Sequence, residues 1–223
     1  MLKLFKNNKV FPEYWNEYLD HFDQKKNHNL QNTRFVVFDT ETTGLNTSLD
    51  RILSIGAVAV SGFQIDVSDS IELYVRQDVY NRGTVSVHGI RKDGHDFKLE
   101  EEQAIIEFLK YVKDAILVAH HASFDVAMIN IALRRLGLPK LKNKVLDTDD
   151  LFKKTKFSTD KEKRYSLDVL MKQFDVKAHD RHTAAGDAYI TALVFLKILA
   201  SLRMIRPITL KDLFFRSKRI GLL

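Results

Sequence analysis

The sequence predicts an α/β fold built on a mixed sheet. From Arg34 onward, stretches with the apolar patterns of strands alternate with stretches in which apolar residues recur at helical spacing. Three strand-like stretches precede the first long helix, which favours an antiparallel meander, and the later strand-like stretches are separated by helices. This order of elements is typical of a mixed sheet that carries helices.

Five stretches are predicted to be strands. RFVVFD at 34–39 reads as a buried strand, RILSIGAVAV at 51–60 follows the turn TTGLNTSLD, and QIDVSDSIELYVR at 64–76 alternates in polarity. The stretches AILVAH at 115–120 and KVLDT at 144–148 are shorter. We expect the first three to form the meander.

Helical patterns fill the rest of this region. The first predicted helix covers about 100–113, and the second covers about 123–136, where a Gly-x-Pro sequence follows. YSLDVLMKQF at 165–174 forms another. The longest covers about 183–202 and has a broad apolar face.

At 223 residues, the chain is long enough for one main domain. We predict a helical extension and linker at 1–33, the main domain at 34–202 and a basic tail at 203–223. Five residues of the extension recur at helical spacing: Phe11, Trp15, Tyr18, Leu19 and Phe22. This aromatic stripe favours packing on the main domain, and docking to another protein is the alternative.

The composition limits the classes of partner and of metal site. The net charge is +6 and the isoelectric point is near 9.3, which favours a polyanionic partner such as nucleic acid. Basic stretches at 140–144, 153–164 and 216–219 are most simply solvated loops or termini, and contact with phosphates is the alternative. The chain has no cysteine, so a metal must be held by oxygen or by histidine.

We expect a cytoplasmic protein that does not span a membrane. The sequence shows no stretch that approaches the roughly 20 apolar residues needed to cross a bilayer. The first residues, MLKLFKNNKVF, interrupt their apolar positions too often for a signal peptide.

Two acids stand at the end of the first strand, in FVVFDTETTGL. Residues two apart on a strand point to the same side, so Asp39 and Glu41 can present both carboxylates to one place. Like charges repel there, and a divalent cation such as Mg²⁺ or Mn²⁺ would offset that repulsion. For this pair alone, a solvated acidic turn is the simpler interpretation.

Other polar residues follow the same pattern of strand ends and helix starts. Asp125 follows a short buried strand and begins a helix, while His182 and Asp187 lie at the start of the longest helix. Asp125 alone could be an acid that interacts favourably with the dipole at the start of a helix, and His182 alone could be a surface residue. The conjunction of four acids and one histidine in this order favours a metal-dependent active site.

The sequence resembles the DnaQ-like DEDDh 3′-to-5′ exonucleases, which have a ribonuclease H-like fold with a mixed five-stranded sheet flanked by helices. DTETTG, HHASFD and HTAAGDA resemble the three exonuclease motifs of that family, with VHGI at 87–90 and LDT at 146–148 in their expected places. The resemblance covers about 34–200. His121 stands where that family often has Asn, and Thr183 stands where it often has Arg.

The resemblance implies a role for each motif residue. Asp39, Glu41, Asp125 and Asp187 would bind two divalent metal ions, Mg²⁺ or Mn²⁺. His182 would be the general base without being a metal ligand. Three further residues would contact the substrate, with the first two at the sugar and base of the terminal nucleotide: Thr42, Leu45 and His88.

The resemblance also implies a function and its alternatives. The expected activity removes nucleotides from single-stranded or frayed 3′ ends of DNA, in proofreading or repair. An exoribonuclease of the same family is one alternative. A polymerase-associated binding module is another, with a polymerase or sliding clamp as partner and with the N-terminal helix or TLKDLFF at 209–215 as the docking segment. A terminal helix packed on the domain is the simpler interpretation of TLKDLFF.

Overall fold

The structure is a computed structural model that describes residues 10–23, 29–78, 89–90 and 97–215. Its strands are β1 (Phe35–Thr42), β2 (Ile52–Ser61), β3 (Gln64–Tyr74), β4 (Ile116–Ala119) and β5 (Val145–Asp147). Its helices are α1 (Glu13–Asp20), α2 (Glu101–Val112), α3 (Ser123–Arg135), α4 (Thr148–Phe152), α5 (Leu167–Phe174), α6 (Ala184–Ile205) and α7 (Leu210–Phe214). The short helix α4 was not predicted.

The strands form one mixed sheet in the order β3-β2-β1-β4-β5. The pairs β1–β2 and β2–β3 are antiparallel, which confirms the predicted meander. The pairs β1–β4 and β4–β5 are parallel. The mixed five-stranded sheet is therefore confirmed, and β1 is its central strand.

The central strand β1 continues three residues beyond its predicted end at Asp39. Its pairing with β2 places Glu41 opposite Ser54, and the register shifts only between Glu41 and Thr42. The prediction ended the strand where the apolar run ended, but backbone hydrogen bonds between strands do not require apolar side chains. Both acids are therefore held on a strand.

Side chains alternate along β1 between two cores, one on each face of the sheet. Val36 and Phe38 pack in the core that α1, α2 and α3 cover, whereas Phe35 and Val37 pack in the core that α4 to α7 cover. On the second face, the rings of Phe35 and Phe195 of α6 are 5.2 Å apart between centroids. A helix layer on each face thus fixes which way every residue of β1 points.

The N-terminal helix α1 is part of the first core. Trp15 and Tyr18 are almost fully buried there. The Tyr18 hydroxyl donates to Asn143 Oδ1 at 2.6 Å and accepts from the Lys142 backbone N–H at 2.8 Å. Asn143 in turn donates to the Ala115 carbonyl, directly before β4. The aromatic stripe therefore packs on the main domain, which was the simpler of its two interpretations.

The long helix α6 corrects one expectation from the sequence. Over its 22 residues it is long and apolar enough to cross a membrane by length and composition, whereas no such stretch was expected. In the structure it packs on β1 and β2 and against α4 and α5, and Ile190, Ala192 and Phe195 are inaccessible to solvent. A helix covered on several sides is apolar around most of its circumference, so its composition reflects a position in the core.

The C-terminal helix α7 also packs on the domain. Leu213 is buried in the second core, and the Lys154 ammonium donates to the backbone carbonyls of Asp212 and Leu213 at 3.0 and 2.6 Å. Helix α7 is therefore packed on the domain, which was the simpler interpretation of TLKDLFF. Phe215, directly after the helix, is exposed.

Replacing Trp15 with Ala tests whether α1 contributes to the stability of the domain. Because the indole is buried in the first core, we expect the free energy of unfolding to fall by about 3 to 5 kcal/mol. Urea denaturation would measure this, with Glu17→Ala on the exposed side of α1 as a control that changes stability by less than about 0.5 kcal/mol. Equal stabilities of Trp15→Ala and the wild type would show that α1 does not support the core.

Candidate active site

Asp39 and Glu41 point to the side of the sheet that α6 covers. They continue the row that begins with Phe35 and Val37, because residues two apart on a strand share a face. Both acids are partly buried. The predicted convergence of the two carboxylates therefore follows from the alternation of β1.

Asp187 reaches the same place from the first turn of α6, which begins next to β2. Thr183 caps this helix, because its Oγ1 accepts a hydrogen bond from the Gly186 N–H at 3.1 Å. Gly56 lies opposite Asp39 on β2, and a Cβ there would lie 2.2 Å from the backbone of Ala184. Only a glycine allows this close approach.

Asp125 is held on the other side of β1. Thr40 lies between the two acids of the strand and points to the opposite face, towards the first turn of α3. Its N–H and its hydroxyl both donate to Asp125 Oδ1, at 3.0 and 2.7 Å. Asp125 is 4% exposed. The alternation of β1 therefore places Asp187 and Asp125 on either side of its carboxyl end.

Three of the predicted acids meet in one cluster. Carboxylate oxygens of Asp39, Glu41 and Asp187 all lie within 4.8 Å of one another. Asp125 lies outside this group but near enough for its charge to act on Asp39 and Glu41. Carboxylate oxygens are hard ligands of the kind that Mg²⁺ and Mn²⁺ prefer, so these residues fit a divalent cation.

Burial and mutual repulsion change the pKa values of these acids. Burial is the main cause that raises the pKa of Asp39 well above its usual range, and the charges of Asp125, Asp187 and Glu41 raise it further. Burial, followed by the charges of Asp187 and Asp125, raises the pKa of Glu41 to about 8. Burial also raises the pKa of Asp125 to about 7, although the hydrogen bonds from Thr40 oppose this shift. Each shift arises because burial and neighbouring acids disfavour the ionised form.

Arg181 places a positive charge beside this cluster, and the sequence analysis did not identify it. Its guanidinium donates to Asp187 Oδ1 through Nη1. It also donates to Asp168 Oδ1, through Nε at 3.2 Å and through Nη2 at 2.9 Å. Its charge lowers the pKa of both Asp39 and Glu41, against the effect of burial. The sequence offered no signal for it beyond its position next to His182.

His182 lies in the loop that leads into α6. Its side chain is exposed, and its backbone N–H donates to Asp187 Oδ2 at 3.2 Å. Its φ of 64° lies in the left-handed region, which costs energy for a residue with a Cβ. The structure thus places the predicted base next to the cluster, on a loop that Asp187 anchors.

Two of the three predicted substrate contacts are described. Thr42 is buried, and its hydroxyl donates to the Gly44 carbonyl at 2.7 Å. Leu45 is 84% exposed in the following loop, which leaves its side chain accessible to a ligand. Asp50 holds this loop by accepting from Thr43 Oγ1 and from the Asn46 N–H. His88 lies outside the described residues.

Asp147 is a second residue whose contacts the sequence did not reveal. Its carboxylate accepts from the backbone N–H groups of His121, Ala122 and Asp149, at 3.2, 2.9 and 2.9 Å. These bonds join the end of β5 to the turn that leads into α3. Asp147 therefore helps to position the helix that carries Asp125.

Comparison with known proteins identifies the family. The family model described as RNase_T, Exonuclease, matches residues 36–195. The DNA polymerase III PolC-type protein of Caldanaerobacter subterraneus subsp. tengcongensis is 38% identical over 176 residues, and that of Bacillus subtilis is 35% identical over 172. These matches cover 77% and 76% of this chain but 12% of each relative, so the chain spans about an eighth of the length of these relatives.

Solved structures share the fold. Exonuclease X in complex with 5′ overhanging duplex DNA has a TM-score of 0.58 and 25% identity, and the match covers 74% of this chain and 91% of that one. Exonuclease I of E. coli in complex with a dT13 oligonucleotide has a TM-score of 0.66 and 15% identity, covering 78% of this chain and 42% of that one. The fold and the position of the acid cluster are those of the ribonuclease H-like class of nucleases. The chain belongs to the RNase_T exonuclease family.

The raised pKa values predict how stability depends on pH without metal. The folded protein keeps a proton on Glu41 up to pH about 8, whereas the usual value of 4.5 applies in the unfolded chain. The folded state therefore binds more protons between these values, so the free energy of unfolding falls as pH rises through this interval. Asp125, with its pKa raised to about 7, acts in the same direction.

Urea denaturation in EDTA between pH 5 and 8 would measure this dependence. We expect a smaller decrease in Glu41→Gln, which cannot ionise, and the wild-type decrease in Glu17→Gln on the exposed side of α1. A wild-type stability that increases from pH 5 to pH 8 would contradict the raised pKa values of Glu41 and Asp125.

Proposed function

We propose that this chain is a divalent-metal-dependent exonuclease that hydrolyses phosphodiester bonds from the 3′ end of DNA and releases nucleoside monophosphates. One observation carries the proposal. Asp39, Glu41 and Asp187 come from two separate elements and bring carboxylate oxygens within 4.8 Å of one another, with Asp125 on the other side of β1. Divalent cations bound there would offset the repulsion among these carboxylates and supply the chemistry of phosphodiester hydrolysis.

The proposed metal ligands are Asp39, Glu41, Asp125 and Asp187. Two Mg²⁺ or Mn²⁺ ions bound there would supply activation of a water molecule and stabilisation of the charge that develops on the leaving oxygen. The protein contributes rigid positions, because β1 holds the first two acids and the first turns of α3 and α6 hold the others.

His182 is the proposed general base. Its imidazole takes a proton from the attacking water, the water oxygen forms a bond to the terminal phosphorus, and the bond from phosphorus to the 3′ oxygen of the preceding nucleotide breaks. A nucleoside monophosphate leaves, and the 3′ oxygen of the shortened strand takes a proton from solvent to become a hydroxyl. The exposed position of His182 beside Asp187 supports this role, because the imidazole can approach a bound substrate from solvent.

Substrate contacts would hold the terminal nucleotide against the end of β1. Leu45 offers an exposed apolar side chain for its sugar and base, while Thr42 and the backbone of the DTETTG turn lie beside it. His88 is a further proposed contact. The same residues would accept the end of an RNA strand, so an exoribonuclease is the alternative that direct comparison of substrates must decide.

The relatives support a role near DNA replication. The curated relatives are PolC-type DNA polymerase III proteins, although this chain spans only 12% of their length. We propose a cytoplasmic activity in proofreading or repair, with a polymerase or sliding clamp as the protein partner. A purely polymerase-associated binding module would have no use for the acid cluster, so we place the enzymatic role first.

Labelled oligonucleotides test the reaction and its direction. With Mg²⁺ and single-stranded DNA labelled at the 3′ end, we expect immediate release of labelled mononucleotide, whereas a 5′ label should remain on progressively shorter strands. Parallel RNA substrates would decide the sugar preference. Asp39→Ala should abolish cleavage because a proposed metal ligand is lost, while Asp66→Ala, an exposed acid on β3, should cleave like the wild type. Degradation that survives Asp39→Ala would exclude this site as its source.

Replacing His182 with Ala tests the assignment of the base. We expect cleavage to slow by roughly 10² to 10⁴, because proton removal is lost, while affinity for Mn²⁺ stays within about twofold. Single-turnover cleavage and calorimetric titration with Mn²⁺ would measure the two quantities. Cleavage at the wild-type rate would remove His182 from the mechanism.

A further inference from the structure

We propose that Arg181 is a positioning residue that holds Asp187 in the metal-free protein and competes with the divalent cation for that carboxylate. This inference rests on the proposed function, because it assigns a role to Arg181 at the same metal site. It adds a residue outside the motifs that define the candidate site, and it makes metal affinity depend on the release of an internal ion pair.

The contacts of Arg181 carry the inference. The guanidinium spans two carboxylates, Asp187 in the first turn of α6 and Asp168 in the first turn of α5. Its side chain is only 18% exposed, whereas that of Asp168 is 72% exposed. The Asp187 side chain is 11% exposed, so the pair with Asp187 is the more buried of the two, and buried ion pairs are less screened by solvent.

Arg181 contacts an oxygen of Asp187, and the carboxylate of Asp187 is also a member of the acid cluster. Asp187 supplies one of the three carboxylates that meet within 4.8 Å, and its Oδ1 accepts from Arg181 Nη1. A cation bound to the cluster would place positive charge close to the guanidinium, and like charges at such distances repel strongly. Binding must therefore weaken or displace the contact between Arg181 and Asp187.

Asp168 provides a place for Arg181 after release. Because Nε and Nη2 already donate to Asp168 Oδ1, the guanidinium can leave Asp187 without losing every partner. The same release affects the proposed base, because Arg181 is followed directly by His182, whose backbone N–H donates to Asp187 Oδ2. Exchange of Arg181 for a cation therefore occurs at the carboxylate that anchors the loop of His182.

Titration with Mn²⁺ of the full chain and of Arg181→Gln tests the competition. We expect the dissociation constant for Mn²⁺ to fall by about tenfold or more in Arg181→Gln, because the competing charge is gone. Arg181→Lys, which keeps the charge, should bind Mn²⁺ within about threefold of the wild type. Arg34→Gln is the matched control, since Arg34 also pairs with an aspartate, Asp69, at the opposite end of β1.

Melting temperatures provide a readout that a simple loss of packing would not produce. In EDTA, Arg181→Gln should melt below the wild type, because the clustered carboxylates lose their neighbouring cation. In saturating Mn²⁺ this deficit should shrink or reverse, because at a given concentration a ligand with a lower dissociation constant stabilises the folded state more. Arg34→Gln should show the same deficit in both conditions.

The wild type offers a test that does not depend on the folding of any variant. In a protein with ¹⁵N-labelled arginine, the Arg181 Nε–Hε signal should shift as Mg²⁺ is added, whereas the Arg34 signal should not. Arg181→Lys would assign that signal. An Arg181 signal unchanged at saturating Mg²⁺ would overturn the inference.

The outcomes separate this inference from the proposed function. If the wild type binds Mn²⁺ and Arg181→Gln binds it equally or more weakly, the proposed competition between Arg181 and the cation is wrong. The proposed metal site is then still supported. If neither protein binds Mn²⁺, both the inference and the proposed metal site are wrong.

Discussion

Repulsion among carboxylates at the end of β1 is the constraint on which the rest of the site depends. Two like charges about 4 Å apart near a protein surface repel by on the order of 4 kcal/mol. Asp39, Glu41 and Asp187 lie within 4.8 Å of one another, and domains of this kind are stable by only about 5 to 15 kcal/mol in total. Without a metal this cost is reduced because the acids keep protons, as the raised pKa values of Asp39 and Glu41 indicate, and a cation such as Arg181 or a bound metal offsets it when the carboxylates are ionised.

The sheet provides the frame that holds these charges together. Alternation along β1 sends Asp39 and Glu41 towards α6 and sends Thr40 towards α3, so one strand positions acids from both helix layers. Gly56 leaves space for the first turn of α6, and Asp147 ties the end of β5 to the turn before α3. The packing of two apolar cores thus determines the geometry of a polar site.

Much of this arrangement could be predicted from the sequence, because strand alternation and helix starts are local patterns. Those patterns gave the strands, the main helices and the positions of Asp39, Glu41, Asp125 and Asp187, and the order of motifs gave the family. The extension of β1 beyond its apolar run depends instead on pairing with β2. Arg181 could not be recognised, because its role depends on two carboxylates that come together only in three dimensions.

Helix α6 shows that the composition of a helix cannot distinguish a core position from a membrane span. Its composition alone meets the criterion for a membrane span, and only its position between the sheet and the helices α4 and α5 explains that composition. The pattern of a helix reports how much of it is covered, but it does not report what covers it.

The central claim is that the clustered acids hold divalent cations, and anomalous diffraction from crystals soaked in Mn²⁺ tests it most directly. The account predicts anomalous peaks bonded to carboxylate oxygens of Asp39, Glu41 and Asp187, with the Arg181 guanidinium withdrawn from Asp187. Absence of any peak at these carboxylates at a saturating concentration of Mn²⁺ would contradict it.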